Sequence, residues 1–230
     1  AERIRDELLK LFRPPHAARG LDLLRDSGLL AHVLPELVDT IGSEQSVEFH
    51  PEGDVYNHIR LMLESMGDDA PTELPWTILL HDIAKPATAA IGDDGRIHNY
   101  GHDKLGAKMA EDILQRLKFP RKQIDDIVCT VRQHMNLAAA PKMRKAKLRR
   151  MLLRPTFALE LEQHRIDCLG SHRKSDIYDF LRSEQAALGE QPALLESLVT
   201  GSDLIELGIE PGPSMGKLLN KIRDRQLAEE

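Results

Sequence analysis

One short segment constrains the fold of this chain more than any other. Residues 78–84, ILLHDIA, place a histidine and an aspartate inside an apolar run. A buried carboxylate costs on the order of several kcal/mol unless it is paired, hydrogen-bonded or bound to a metal. Adjacent side chains on a helix point about 100° apart, so His81 and Asp82 can reach one ion from two directions. We therefore expect the fold to gather further ligands around these two residues.

The composition favours an all-α fold. Aromatic residues make up only 4% of the 230 residues, so Leu, Ile, Val, Ala and Met must form the core, and most of these are good helix formers. Segment 87–100 differs, because two short runs flank a turn at Asp94–Gly95 and predict a β-hairpin. Periodicity, capping residues and prolines predict helices over 1–13, 16–34 (broken at Gly28), 54–66 (capped by Asp54), 75–85, 103–118, 121–136, 144–153, 156–171, 174–188, 194–199, 201–207 and 214–228.

Other features narrow the class of protein. Cys129 and Cys168 provide no disulfide framework, which predicts a reducing, cytoplasmic setting. No apolar run approaches the roughly 18 residues that cross a bilayer, so no membrane partner is expected. The net charge of −6 argues against a globally basic nucleic-acid binder but allows a local basic patch. The chain begins with Ala1 instead of Met, as a piece of a longer protein would.

Four more residues are candidate ligands: His58, His102, His134 and Asp167, each on a different predicted helix. Helices that each bring one or two ligands into a bundle core can build a dinuclear site, with Asp82 bridging the two ions. Mixed imidazole and carboxylate ligands suit Mn, Fe, Co, Ni or Zn, and Mg with retained waters. The sequence thus predicts one or two divalent metal ions.

Each candidate also has a simpler explanation. His134 could favour a helix C-terminus through the helix dipole, and His102 could be a helix N-terminal residue without a role. Asp167 could pair with Arg165 or Lys174. Spacing alone leaves these alternatives open.

Two further segments could bind phosphate. Arg149 and Arg150 are predicted to face a cleft, because they directly precede an apolar run within a basic stretch. The alternative is a solvated helix face. Residues 208–217, GIEPGPSMGK, form a Gly-rich turn that could receive a phosphate or simply cap a helix. The cations of the basic stretch are Lys142, Arg144, Lys145, Lys147, Arg149, Arg150 and Arg154.

The order of these motifs resembles a known family. LLHDIAKP and YGHDKLGAKMAEDILQRLKFP resemble the HD phosphohydrolase superfamily and, more narrowly, the HD-containing C-terminal region of bacterial tRNA nucleotidyltransferases of the CCA-adding and poly(A) polymerase-like group. ERIRDELLKLF with HAARGLDLLRDSGLLAHVLPEL, EGDVYNHIRLMLE through RQHMNL, and GSDLIELGIEPGPSMGKLLNKIRDRQL extend the resemblance over essentially the whole chain.

The resemblance implies an HD-type helical bundle in three parts: an RNA-binding-like segment (1–45), a phosphohydrolase domain (46–190) and a helical tail (191–230). It implies metal ligands at His58, His81, Asp82, His102, His134 and Asp167. Asp82 and Lys85 become the predicted catalytic residues, and Lys85, Arg149 and Arg150 the predicted phosphate or RNA contacts. Ala84 stands where the family usually has Gly.

The implied function is metal-dependent hydrolysis of phosphate esters, such as 2′,3′-cyclic nucleotides or RNA ends, with a nucleotide, RNA or tRNA as partner. The alternative is a non-catalytic tRNA-binding body with a relic site. Nucleotide addition is not expected from this chain alone, because no Asp-x-Asp motif occurs in it. It is therefore either a fragment or a stand-alone relative.

Overall fold

The computed structural model describes residues 1–46, 51, 53–171, 175–190 and 196–229. It divides into two compact units. The first unit comprises Ala1–Leu137 and Ala158–Ser175, and the second comprises Ala138–Phe157 and Asp176–Glu230. The predicted all-α class with one small hairpin is confirmed. The boundaries near residues 45 and 190 remain a prediction. Within the described ranges, no helix has both the length and the apolar character needed to cross a bilayer.

The first unit begins with four helices, of which the first three were predicted. The fourth, over 35–38, was not, because Pro35 was expected to end the helical segment, whereas a proline is tolerated in the first turn of a helix. Pro14–Pro15 separates the first two, and Gly28, with a φ of 76°, lies between the second and third. A positive φ suits glycine, which has no Cβ to clash with the backbone. These helices are α1 (Glu2–Leu11), α2 (Ala17–Asp26), α3 (Leu30–Val33) and α4 (Pro35–Val38).

The next helix is capped as predicted. The Asp54 carboxylate accepts a hydrogen bond of 2.8 Å from the Asn57 backbone N–H, and α5 runs over Val55–Glu64. Such a cap satisfies one of the backbone N–H groups that a helix start leaves without a partner. Residues 40–46, predicted to belong to a loop, form no regular helix or strand, and the predicted loop residues 47–50 and 52 lie outside the described residues.

The predicted single helix over 75–85 is wrong. Helix α6 covers Leu74–Leu80, a turn covers 81–84, and the short helix α7 covers Lys85–Thr88. Pro86 explains the break, because a proline lacks the N–H that would bond to the carbonyl four residues earlier and its ring clashes with that carbonyl. The carbonyl concerned belongs to Asp82. The histidine–aspartate pair therefore lies in a turn that follows a buried helix.

The rest of the first unit contains the hairpin and three long helices. Strand β1 (Ala90–Ile91) pairs antiparallel with β2 (Ile97–His98), as predicted. The predicted helix over 121–136 ends earlier, at Gln133, where a 3₁₀ helix (His134–Lys142) continues the chain. The long helices are α8 (His102–Arg116), α9 (Arg121–Gln133) and α11 (Phe157–Gly170).

A single apolar core holds the first unit together. Trp76 belongs to this core and is 1% exposed, with its ring meeting Phe12 and Phe119 edge-on at centroid distances of 5.7 and 4.7 Å. Burial of each large apolar side chain contributes roughly 1.5–3 kcal/mol. Because α5, α6, α8 and α9 all pack into this core, the residues at their ends have well-defined positions.

The second unit is built around α10 (Lys145–Leu152), which packs against α12 (Asp176–Gly189) and α14 (Pro213–Ala228). A capping box between Thr200 and Asp203 starts α13 (Gly201–Glu206). The helix predicted over 194–199 is not present in residues 196–199, and 194–195 lie outside the described residues. Helix α14 begins at Pro213, within the Gly-rich turn singled out in the sequence.

Candidate metal centre

The Asp82 carboxylate lies at the centre of a cluster of buried polar side chains in the first unit. Asp82 is 2% exposed. Its Oδ2 atom lies 3.0 Å from His81 Nε2, 2.7 Å from Lys85 Nζ and 4.0 Å from His58 Nε2. Its Oδ1 atom lies 3.3 Å from His102 Nε2. The two oxygens thus face different sets of nitrogen atoms, which is the arrangement expected of a bridging carboxylate.

One group of three possible ligands consists of His58, His81 and Asp167, whose ligand atoms all lie within 4.8 Å of one another. His58 Nε2 is 3.1 Å from Asp167 Oδ1. Burial raises the pKa of Asp167, but the hydrogen bond from His58 and the charges of His58 and His81 together outweigh burial and hold that pKa below its usual value. Arg165, a possible partner for Asp167 on sequence grounds, pairs with Glu162 at 2.6 Å. The other possible partner, residue 174, lies outside the described residues.

A second group consists of Asp82, His102 and His134, again with ligand atoms within 4.8 Å of one another. All three are buried. The Nε2 atoms of His102 and His134 are 3.1 Å apart, and His134 Nε2 is 3.8 Å from Asp82 Oδ1. Helices α8 and α9 position these histidines, since His102 opens α8 and His134 directly follows α9.

Three of the histidines are oriented by backbone carbonyls. The Nδ1 atoms of His81, His102 and His134 lie 2.8, 2.6 and 2.6 Å from the carbonyl oxygens three residues earlier in the chain. A carbonyl can only accept, so each Nδ1 carries the hydrogen and each Nε2 in the neutral ring offers a lone pair. Metal-binding histidines are held in this way, with the second ring nitrogen donating to a carbonyl.

With this orientation, several nitrogen lone pairs point into the cluster, and a positive charge among them would be stabilising. In their neutral forms His102 and His134 bring two Nε2 lone pairs to within 3.1 Å, which is repulsive unless a proton or a metal ion lies between them. In its neutral form His81 also brings a buried Nε2 lone pair to within 3.0 Å of the Asp82 carboxylate, in a geometry that makes no hydrogen bond. A buried polar atom without a partner calls for an explanation, and a metal ligand is one. The residues therefore fit a divalent cation.

Electrostatic interactions favour the protonation states in which Asp82 and His134 can bind a metal. Burial raises the pKa of Asp82, but the charges of His81 and Lys85 and the hydrogen-bonding interactions with His102 and His81 together outweigh burial and hold that pKa well below its usual range. Asp82 is therefore an anion. Burial and the charge of His81 lower the pKa of His134 to about 4, so His134 is the neutral imidazole that can bind a metal.

Lys85 contacts the cluster directly. Its ammonium group lies 2.7 Å from Asp82 Oδ2 and donates a hydrogen bond of 2.5 Å to Gln45 Oε1. Gln45 is itself buried and was missed by the sequence reasoning. No signal in the sequence could identify it, because it precedes Lys85 by 40 residues and lies in an irregular segment.

Arg149 and Arg150 lie on α10, in the second unit. Arg149 donates a 2.9 Å hydrogen bond to the Leu227 carbonyl and lies 3.1 Å from the Glu229 carboxylate. Arg150 pairs with Asp224 at 2.5 Å. These contacts attach α14 to α10. A phosphate or RNA contact of the two arginines stays a prediction.

The sequence models of two families match the chain. The HD domain family matches residues 53–169. A family described as "Probable RNA and SrmB- binding site of polymerase A" matches residues 1–40. The first match contains all six candidate metal ligands, and the second covers helices α1 to α4.

Curated relatives are similar over most of the chain. An A-adding tRNA nucleotidyltransferase of Deinococcus radiodurans is 36% identical over 240 residues, covering 99% of this chain and 55% of the relative. A CC-adding tRNA nucleotidyltransferase of Thermus thermophilus is 31% identical, covering 98% of this chain and 52% of the relative. A multifunctional CCA protein of Azoarcus sp. is 37% identical, covering 74% of this chain and 42% of the relative. The chain spans about half the length of the curated relatives it matches.

Proposed function

The chain belongs to the HD domain family, in the form related to tRNA nucleotidyltransferases, and on this premise we propose that it is a metal-dependent phosphohydrolase. Its proposed substrates are phosphate esters such as 2′,3′-cyclic nucleotides or RNA ends. The observation that carries the proposal is the pair of three-residue ligand groups that meet at His81 and Asp82.

Divalent ions in such a cluster would supply Lewis-acid activation of water and of the phosphoryl group. The six residues named as ligands in the sequence would hold one or two ions, of Mn, Fe, Ni, Co, Zn or Mg. Asp82 offers one oxygen to each ligand group, so it is the proposed bridge between them. The backbone carbonyls that accept from Nδ1 fix three imidazole rings before any ion binds, which lowers the cost of assembling the site.

Lys85 has two proposed roles. Its ammonium group holds the Asp82 carboxylate in place through the 2.7 Å contact, and Gln45 fixes the ammonium from the other side. A cation this close to the cluster would also neutralise negative charge that develops on the phosphate. Arg149 and Arg150 are proposed to contribute to RNA binding only if phosphate displaces their present carboxylate partners.

A second candidate function is a tRNA-binding body without hydrolytic activity. One specific observation favours it, namely the match of residues 1–40 to an RNA-binding family model. The same observation supports RNA or tRNA as a partner of the hydrolase. Neither candidate includes nucleotide addition by these residues.

Two measurements separate the candidates. The purified chain is analysed for bound metal, and hydrolysis of bis(p-nitrophenyl) phosphate and of 2′,3′-cyclic AMP is followed with added Mn²⁺ or Ni²⁺. We expect bound metal, metal-dependent turnover, and loss of turnover in Asp82→Ala. Asp112→Ala is the matched control, because Asp112 is an exposed carboxylate on α8 outside the cluster.

The control for folding is tRNA binding, which Asp82→Ala should retain. An active Asp82→Ala variant, or a protein that takes up no metal and hydrolyses neither substrate, would leave only the binding function. Loss of tRNA binding together with hydrolysis would mean that the metal supports the fold instead of the reaction.

A further inference from the structure

Tyr100 is the only Tyr, Phe or Trp residue that is exposed in the part of the chain that the structure describes. Its exposed fraction is 83%, whereas the other described residues of these types are buried or half-buried. Single exposed apolar side chains are common on protein surfaces, so exposure alone assigns no function. The neighbours of Tyr100 are what make its ring a candidate binding surface.

The ring of Tyr100 is held in place by the β-hairpin. It stacks on the ring of His98, with the centroids 5.1 Å apart and the planes at 6° to each other. His98 Nε2 lies 2.9 Å from Asp94 Oδ1, which also accepts a hydrogen bond of 3.1 Å from the Arg96 backbone N–H. His98 covers one face of the Tyr100 ring, and the large exposed fraction leaves the other face open to solvent. An aromatic face that is fixed in advance can stack on a nucleobase at a low entropic cost.

Tyr100 also lies beside the second group of candidate metal ligands. The Asn99 carbonyl accepts a hydrogen bond of 2.6 Å from His102 Nδ1, so the residue before Tyr100 is attached to a candidate ligand. Two peptide units separate Tyr100 from His102, so their Cα atoms are at most about 7.6 Å apart. The stack of Tyr100 on His98 therefore borders the metal centre.

Other exposed apolar side chains flank the same two histidines. Met135 directly follows His134 and is 54% exposed, and Leu105 lies one helical turn after His102 in α8 and is 38% exposed. The rings of His102 and His134 lie together, with their centroids 5.1 Å apart. A phosphate alone would need only the polar cluster. A nucleotide combines a phosphate with a flat base, which matches a polar cluster with an aromatic and apolar surface at its edge.

We propose that Tyr100, supported by His98, stacks on the base of a nucleotide whose phosphate lies at the second ligand group. The substrates are then nucleoside 2′,3′-cyclic phosphates, free or at the end of an RNA strand, and simple phosphate esters are poor substrates. Tyr100 is a substrate-binding residue that determines specificity and takes no part in bond cleavage. This inference rests on the proposed phosphohydrolase function and names its substrate class.

Steady-state hydrolysis with Mn²⁺ compares 2′,3′-cyclic AMP with ribose 2′,3′-cyclic phosphate, which has the same reacting ring but no base. Tyr100→Ala should raise KM for 2′,3′-cyclic AMP about tenfold, because it removes the stacking surface, and should change kcat little. Its kinetics with the ribose compound should equal those of the parent, since a merely structural loss would affect both substrates. Tyr100→Phe, which keeps the ring, should restore the parent KM. Ile91→Ala is the matched control, because Ile91 is 79% exposed on β1 outside the stack.

A second measurement needs no turnover. The fluorescence of 2-aminopurine riboside 3′-phosphate falls when its base stacks, so a titration with Mg²⁺ reports on the contact directly. We expect saturable quenching by the parent, Tyr100→Phe and Ile91→Ala, and about tenfold weaker binding by Tyr100→Ala.

A trinucleotide that ends in the same cyclic adenosine phosphate separates the two sources of the base. A lower KM than that of 2′,3′-cyclic AMP assigns the site to an RNA end, and an equal or higher KM assigns it to a free nucleotide. Equal kcat/KM for the two cyclic phosphates in the parent, or a Tyr100→Ala variant that behaves like Ile91→Ala, overturns the proposal and leaves hydrolysis standing. Absence of hydrolysis of both compounds refutes the proposed function instead, and the aminopurine titration then decides whether Tyr100 binds a base.

Discussion

Replacement of Lys85 tests whether its ammonium group and a metal ion compete for the same carboxylate. Lys85 is 7% exposed, and its Nζ atom lies 2.7 Å from Asp82 Oδ2. Lys85→Met keeps the buried methylene chain but leaves Asp82 with one cation fewer. Removing one partner of a buried ion pair costs roughly 3–5 kcal/mol. Because His81 Nε2 and His102 Nε2 still lie 3.0 and 3.3 Å from the carboxylate oxygens, we expect the lower end, about 3 kcal/mol, in the metal-free protein.

The metal-loaded protein should respond differently. A bound divalent ion neutralises Asp82 directly and is repelled by a nearby ammonium group, so the loss of Lys85 should cost less once metal is bound. Thermodynamic linkage then requires Lys85→Met to bind metal more tightly than the parent chain. In EDTA, about 3 kcal/mol corresponds to a lower melting temperature by roughly 6–12 °C for a chain of this size. This difference should shrink with saturating Mn²⁺.

Calorimetric melting with EDTA and with Mn²⁺, together with a Mn²⁺ titration, measures both effects. Lys108→Met is the matched control, because Lys108 is exposed on α8 and outside the cluster, and it should change neither stability nor metal affinity. A variant that is equally destabilised with and without Mn²⁺, or that binds Mn²⁺ more weakly than the parent, would refute the competition between Lys85 and the metal for Asp82. A hydrolysis rate lower than the parent's, in spite of tighter metal binding, would be consistent with the proposed role of Lys85 at the phosphate.

Three other substitutions give two separate predictions. Asp167→Asn and His134→Asn each remove a ligand from a different group, so each should lower the number of bound ions by one in a chain that holds two. Metal analysis after dialysis measures this number. An unchanged number of bound ions would contradict the grouping. Glu36→Gln breaks a two-bond contact of 2.5 and 2.9 Å with Arg116 and should cost about 0.5–1 kcal/mol at neutral pH in urea unfolding. Burial raises the pKa of Glu36, but the hydrogen bond from Arg116, a backbone hydrogen bond and the charge of Arg116 together outweigh burial and lower that pKa. This stability is therefore present above the ordinary glutamate pKa and should fade as the pH falls through the folded-state value. A difference between Glu36→Gln and the parent that persists in acid would contradict this linkage.

Local sequence patterns were sufficient for most of the secondary structure. The Asp54 cap, the break at Gly28 and the turn of the hairpin depend on interactions between residues that are near in the chain. The wrong helix over 75–85 had a local signal as well, because Pro86 excludes a continuous helix through residue 82. Helical periodicity in an apolar segment concealed that signal.

From the sequence alone, the free-energy cost of burying a carboxylate predicts that Asp82 needs positively charged groups or a metal ion beside it. Which atoms meet it was decided only by the tertiary structure. Gln45 reaches Lys85 across 40 residues, and His102 and His134 approach within 3.1 Å because α8 and α9 pack side by side. The same holds for Arg149 and Arg150. Their basic stretch predicts a charged surface, but not that Asp224 of α14 and Glu229, just after α14, supply carboxylates to it. A sequence records which groups require partners, whereas the partners of distant groups depend on how helices pack, and packing is set by the whole core.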